Sequence, residues 1–223
     1  MNIDVASNLR KVKDALPEGV RLVAISKFHP SEYIMAAYDA GQRVFGESRE
    51  QELAVKAKEL PKDIDWHFIG HLQTNKVKYI VGVVDLIESV DRMELLECIE
   101  KTAAKLGVVQ PILLEVNIGA EESKSGFSQE EIWQTVEKMA DFPHCRLRGL
   151  MAIPPISLHP GDNRRYFAEM RNLFVDISEK KYDNVDMECL SMGMSGDYAD
   201  AIAEGATMIR VGTAIFGPRN YNV

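Results

Sequence analysis

Eight short apolar runs, spread evenly along the chain, constrain what it can fold into more than any other feature. They are Leu22–Ser26, Arg43–Gly46, Trp66–Ile69, Leu86–Ser89, Ile112–Asn117, Leu147–Ala152, Glu188–Ser191 and Met208–Gly212. Runs this short, bounded by turn residues, read as strands buried on both faces. Helical periodicity fills the gaps. Val5, Leu9, Val12 and Leu16 mark an N-terminal helix that Pro17 stops. Ser31 to Gly41 reads as a helix with Ser31 as N-cap and Gly41 just past its end, and Arg92–Leu106 as another, ended by Gly107. Ser128 and Glu131 have capping-box spacing, and Asp200–Glu204 before Gly205 forms a last short helix. Strands alternating with helices imply a parallel sheet with right-handed crossovers. Eight of them favour an α/β fold of the closed (β/α)8 type, the TIM barrel, over a doubly wound open sheet, which would be unusually wide. The one clear loop is Pro154 to Asn163, and no linker divides the chain, so residues 1–223 are expected to form a single barrel domain with an extra N-terminal helix.

Composition excludes several classes of function. With 223 residues, 46% of them hydrophobic, the chain can bury a large core. A net charge of −8 and a pI near 5.2 argue against nucleic-acid binding driven by counterion release. An anionic ligand would have to be held by local donors. Cys98, Cys145 and Cys189 are far apart with no CxxC pair, which suits a reducing cytosol. The N-terminus lacks a basic segment followed by an apolar one, and no apolar run approaches the length of a membrane span. These features point to a soluble, cytoplasmic protein.

Lys27 closes the first apolar run, ahead of Phe28, His29 and Pro30. An ammonium at the end of a buried strand is unusual, and burial lowers a lysine's pKa toward the neutral amine that attacks aldehydes. The functional reading is a Schiff-base lysine. The competing reading is a lysine whose stem packs while its head reaches water. In a barrel, chemistry sits at the C-terminal strand ends, and Val23, Ile25 and Lys27 share one face by period two.

The last two strand ends supply donors. Ser191-Met-Gly-Met-Ser195-Gly196 follows the seventh strand, and Arg210-Val-Gly212-Thr213 closes the eighth. Glycines allow backbone N–H groups to approach an anion, hydroxyls add donors, and these two loops are the customary phosphate site of the fold. Aldehyde capture opposite phosphate capture describes pyridoxal 5′-phosphate (PLP). Arg210, facing inward, could meet the pyridine nitrogen and, as a donor-only group, keep it unprotonated, which disfavours carbanion chemistry. Alternatively it pairs with a carboxylate such as Glu47 or Glu188.

Other candidates are weaker. His67 and His71 lie four apart, but on a strand that separation is roughly 13 Å, too far for one metal ion. Lys124 sits in a loop near the fifth strand end, either near an anion or simply solvated.

Ordered motifs then carry a family likeness along nearly the whole chain. They are Leu22-Val-Ala-Ile-Ser-Lys27, Phe45-Gly-Glu47, Trp66-His-Phe-Ile-Gly70 with Leu72-Gln73 and Asn75-Lys76, and Ser123-Lys-Ser-Gly126. Arg148 to Pro154, Leu190 to Ser195 and Ile209 to Gly217 complete the set. The chain resembles the pyridoxal-phosphate homeostasis proteins, single-barrel relatives of the alanine racemase N-terminal domain. The resemblance implies PLP held as an imine on Lys27, phosphate contacts from Ser191, Ser195, Gly212 and Thr213, and Arg210 near the pyridine nitrogen. It implies a carrier or buffer in vitamin B6 balance with no established reaction, acting as a monomer, with PLP-dependent apoenzymes as recipients. Two positions depart from the pattern. Ser48 stands where an asparagine commonly follows Phe-Gly-Glu, which puts that residue's ring contact in doubt. His71 replaces a proline and alters a loop.

Two enzymatic readings compete with the carrier. A PLP-dependent racemase or decarboxylase needs acid–base groups around the substrate carbon, and in racemases a C-terminal domain helps provide them. The chain stops soon after Gly217, and nothing in the sequence places Tyr79, Tyr198 or His29 at such a position. A cofactor-free lysine aldolase would also use a barrel and a buried amine.

Overall fold

The computed structural model describes residues 3–121, 125–156 and 159–218. Eight parallel strands close into a barrel in chain order: β1 (Arg21–Ile25), β2 (Val44–Glu47), β3 (Asp65–Phe68), β4 (Leu86–Val90), β5 (Gln110–Val116), β6 (Cys145–Ala152), β7 (Val185–Ser191) and β8 (Met208–Val211). All eight expected strands are present, with ends shifted by a few residues at most of them. The barrel closes through β1 and β8, where Ala24 pairs with Val211.

Alternation along each strand separates two cores. Val23, Ile25, Val44, Leu86, Leu113, Met151, Cys189 and Met208, with Ile69 just past β3, pack together inside the barrel. Their neighbours Ala24, Phe45, Phe68, Ile87, Leu114, Ala152, Leu190 and Ile209 face the surrounding helices. This is why the strands read as continuous apolar runs.

The five helices marked in the sequence are all present, with ends shifted by one or two residues, and the structure adds others between them. Helix α1 (Val5–Asp14) is capped by Asp4, whose side chain accepts from the Ser7 N–H, and it buries Val5, Leu9 and Val12. The chain's last described helix, α8 (Thr213–Phe216), is a single turn, and α1 packs against it and against α2 (Ser31–Asp39). The N-terminal helix thus covers the flank of the barrel that so short an α8 leaves open. In α2 the cap position belongs to Pro30, and Ser31 is the first helical residue. The expected Ser31 cap is therefore one residue out, because proline's fixed φ already suits the entry. Gly41 takes a φ of +86° as expected after the helix end. Helix α3 (Glu50–Glu59) follows β2, and a 3-10 stretch, Thr74–Tyr79, follows β3. Helix α4 (Met93–Leu106) ends at left-handed Gly107. The Ser128–Glu131 capping box opens α5 (Gln129–Glu137). Helices α6 (Arg164–Ser178) and α7 (Tyr198–Ala203) complete the outer layer. Among the described residues no helix is long and apolar enough to cross a membrane.

Candidate functional site

The inward face of the strands changes character toward the C-terminal end of the barrel. Besides apolar side chains it presents Glu88, Glu115, Ser191 and Arg210 toward that end and His67 nearer the opposite end, where it lines a cleft with Arg21, Asp65 and Asp85; all five are buried. Four of these form one hydrogen-bonded chain. His67 Nδ1 lies 2.6 Å from Glu88 Oε1, the Ser191 hydroxyl donates to Glu88 Oε2 at 2.6 Å, and Arg210 Nη1 donates to the same hydroxyl at 2.6 Å. Arg210 Nη2 donates to the Ala152 carbonyl at 2.9 Å. Burial pushes the Glu88 carboxyl upward, but the His67 hydrogen bond and charge, Arg210 and Ser191 outweigh it and hold Glu88 below the ordinary carboxylate range. Burial lowers the Arg210 pKa, opposed by Glu88, Glu115 and Asp197, and a guanidinium displaced from so high a value keeps its charge. Arg210 therefore faces inward, and its carboxylate is Glu88. Neither carboxylate suggested by the sequence serves it: Glu47 pairs with Lys56, and Glu188 with Arg148.

The rim lies above this floor. Lys27 is half-buried, in a turn two residues beyond the end of β1. A Cβ on Gly212 would come within 3.2 Å of both the Ile25 carbonyl oxygen and the Ile25 Cβ, so the end of β8 presses on the end of β1 just before Lys27. Thr213 opens α8 and is exposed. Ser195, on the loop after β7, accepts from the Ala214 N–H at 3.5 Å, which brings the two donor loops edge to edge. A cleft of about 400 Å³, lined in part by Ile153, His159, Met194 and Gly196, flanks the same rim. Lys27, Ser195, Gly212 and Thr213 thus gather at one mouth with Arg210 beneath them. Ser191 is placed differently from the phosphate-facing expectation. It is fully buried, with its hydroxyl spent on Glu88 and Arg210, because period two turns it into the barrel beside Arg210 instead of up toward the loop.

A hydroxyl pair, a glycine cradle that a side chain would crowd and a buried cation below form a donor set suited to a phosphate ester attached to a polar ring. The alanine racemase N-terminal domain family model matches residues 4–220. A pyridoxal phosphate homeostasis protein from Aquifex aeolicus is 46% identical over 202 residues, covering 90% of this chain and 88% of its own. Its counterpart from Escherichia coli K12 is 37% identical over 234 residues, covering 98% of both chains. The chain belongs to the pyridoxal phosphate homeostasis family. Another relative, PipY of Synechococcus elongatus, is 37% identical, and its structures without and with PLP bound align with TM-scores of 0.90 and 0.87, covering 96% of this chain and all of PipY. An alanine racemase from Clostridium difficile aligns at a TM-score of 0.77 with 15% identity over 57% of its length, a likeness of fold alone.

The two departures from the homeostasis-family pattern have clear surroundings. A Cβ on Gly70 would lie 2.3 Å from the Ser48 carbonyl oxygen, so these two loops touch through backbone. His71 is exposed, and its Nδ1 lies 2.8 Å from Asp91, which also pairs with Arg92. His67 and His71 accordingly face different carboxylates. His29 is buried against Tyr33 and Phe216, the Tyr79 ring lies beneath Lys78, and Tyr198 begins α7. Lys124 and Ser123 fall outside the described residues.

Sequence reasoning missed Glu88 and weighed His67 only as a metal ligand, not as its partner. The signal was present in the alternation of Leu86-Ile-Glu-Ser-Val90, which turns Glu88 to the same side as Leu86. It also missed Glu52 and Lys56 on α3, which reach back to the Lys27 turn.

Proposed function

We propose that this chain binds PLP at the C-terminal mouth of its barrel and holds it as a reversible store in vitamin B6 homeostasis, without turning over a substrate. The observation that carries this reading is the meeting of the β1 and β8 ends, with the Lys27 turn on one side, Gly212 and Thr213 on the other, and Arg210 below. When bound, the cofactor supplies an aldehyde carbon that an uncharged amine captures reversibly with loss of water. Lys27 provides that amine. Ser195 and Thr213 hydroxyls and the Gly212 backbone receive the phosphate. Ser191 acts at one remove, by fixing Arg210. Arg210 donates toward the pyridine nitrogen and, already neutralised by Glu88, offers it no proton. A ring held that way is a poor electron sink, which favours storage over racemisation or decarboxylation. The barrel works as one unit across residues 1–223, as a cytoplasmic monomer that releases PLP to PLP-dependent apoenzymes.

The test is an absorption spectrum of purified protein before and after borohydride, followed by peptide mass analysis. A visible band that borohydride abolishes, with the pyridoxyl label on Lys27, is the expected result. Label on another lysine, or Lys27-dependent racemisation of an amino acid at ordinary enzyme rates, would overturn the reading.

A further inference from the structure

The turn that carries Lys27 is held from behind by an ion cluster that does not enter the mouth. The His29 N–H donates to the Ser26 carbonyl at 3.1 Å, making Lys27 and Phe28 the two central residues of a β-turn. Phe28 has a φ of +63°, a left-handed conformation that a turn of this kind normally assigns to glycine. Strain of this kind persists only where the surroundings over-determine it. Here they do. Glu52 Oε1 accepts the Phe28 N–H at 2.8 Å, and the Arg49 guanidinium lies over the Phe28 ring at 4.5 Å. Lys56 Nζ donates to the Ser26 carbonyl at 3.0 Å, to Glu47 at 2.8 Å and to Glu52 at 2.6 Å, so all three of its protons are committed. The Ser26 hydroxyl donates to Glu47 at 2.6 Å. One buried ammonium and its two carboxylates therefore grip the backbone on both sides of residue 27.

Alternation places this cluster in the layer between β2 and α3. Glu47 shares the helix-facing side of β2 with Phe45, and Ile25 faces the barrel interior while Ser26 faces outward to Glu47. Buried ion clusters add little net stability, because desolvation offsets most of their attraction. A cluster of this cost behind one strained turn calls for a different role.

We infer that Glu47, Glu52 and Lys56 are positioning residues that fix the Lys27 turn so that its amine is presented to the aldehyde. This inference rests on the PLP-binding reading above. The cluster acts on Lys27 through its neighbours' backbone and has no contact with the cofactor.

Glu52→Ala removes the acceptor of the Phe28 N–H, whereas Glu52→Gln keeps an acceptor oxygen at that place. Four quantities separate the outcomes: melting temperature, amide hydrogen exchange at Phe28 in cofactor-free protein, affinity for pyridoxine 5′-phosphate, which lacks the aldehyde, and the rate of imine formation with PLP. Glu52→Ala is expected to speed Phe28 exchange and to slow imine formation about tenfold, as a small misplacement of a reacting group does. Its melting temperature and pyridoxine 5′-phosphate affinity stay as in the native protein, and Glu52→Gln restores both rates to within about twofold. Native imine-formation rates in Glu52→Ala, or equal slowing in both variants, overturn the inference. So does joint loss of melting temperature and pyridoxine 5′-phosphate binding in Glu52→Ala, which would make the cluster mere scaffold. Failure of the native protein to form any imine would instead sink the PLP reading, and the Phe28 exchange arm would still report on the turn.

Discussion

Arg210 donates to the Ser191 hydroxyl, and that same hydroxyl donates onward to Glu88, so a single serine joins a buried cation to a buried anion across the barrel interior. Arg210 Nη1 itself stays 3.9 Å from Glu88 Oε2. The arrangement joins both charges through one hydroxyl, while the other terminal nitrogen donates to the Ala152 carbonyl at the end of β6.

Removing Glu88 should be expensive. Glu88→Ala deprives the buried Arg210 of the carboxylate that acts on it most strongly, and deprives Ser191 and His67 of an acceptor. Breaking a buried pair in this way costs about 3–5 kcal/mol, and Glu88→Gln, which preserves shape and an acceptor, should cost less. Urea unfolding of the cofactor-free proteins measures both. A loss below about 1 kcal/mol for Glu88→Ala would show that the interior tolerates the bare guanidinium.

The barrel was legible because each strand carries its own local signal, a short apolar run with a turn on either side. That Lys27, Ser195, Gly212 and Thr213 lie at neighbouring strand ends was legible because the fold dictates which strand ends form the mouth. The partners of Ser191 were not legible, because its hydroxyl follows strand parity into the interior, where barrel closure alone brings it to Glu88. The Arg210 partner was out of reach for a related reason: Glu88 lies on a strand that is no neighbour of β8, and only closure of the barrel brings the two together. The Glu47–Lys56 pair joins a strand to the helix behind it, a contact set by how α3 docks and not by any spacing along the chain.

Lys27→Ala should abolish the imine and leave the fold intact. Lys27 is half-buried in a turn outside the strands and belongs to neither apolar core. The change in unfolding free energy should stay within about 1 kcal/mol, while the borohydride-sensitive absorption disappears. Loss of the cooperative thermal transition in this variant would contradict that division between site and scaffold.

Ser195→Ala and Thr213→Val should weaken PLP retention more than pyridoxal retention, since pyridoxal lacks the phosphate. Hydrogen bonds to a charged group are worth roughly 1.5–3 kcal/mol, so about a tenfold or greater loss of PLP affinity is expected from each change, with pyridoxal affinity little altered. Gly212→Ala should act in the same direction by forcing a Cβ against the Ile25 carbonyl. Equilibrium dialysis with the two aldehydes in parallel decides the matter, and equal losses for both would remove the phosphate from this rim.

Glu47 gives the fold a pH dependence of definite sign. Burial pushes its carboxyl up to about 7, against the pull of Lys56. Between the ordinary value of 4.5 and about 7 the folded chain keeps a proton that the unfolded chain has released. Stability from this group is therefore complete below the unfolded value and declines as pH rises toward the folded one, by an amount on the order of 3 kcal/mol. Glu47→Gln cannot release that proton. From about pH 5 to about pH 8 the native protein should lose more unfolding free energy than Glu47→Gln, and subtracting the two urea-unfolding profiles cancels the carboxylates they share. Parallel profiles would mean that Glu47 ionises in the folded chain as readily as in the unfolded one, with Lys56 offsetting its burial in full.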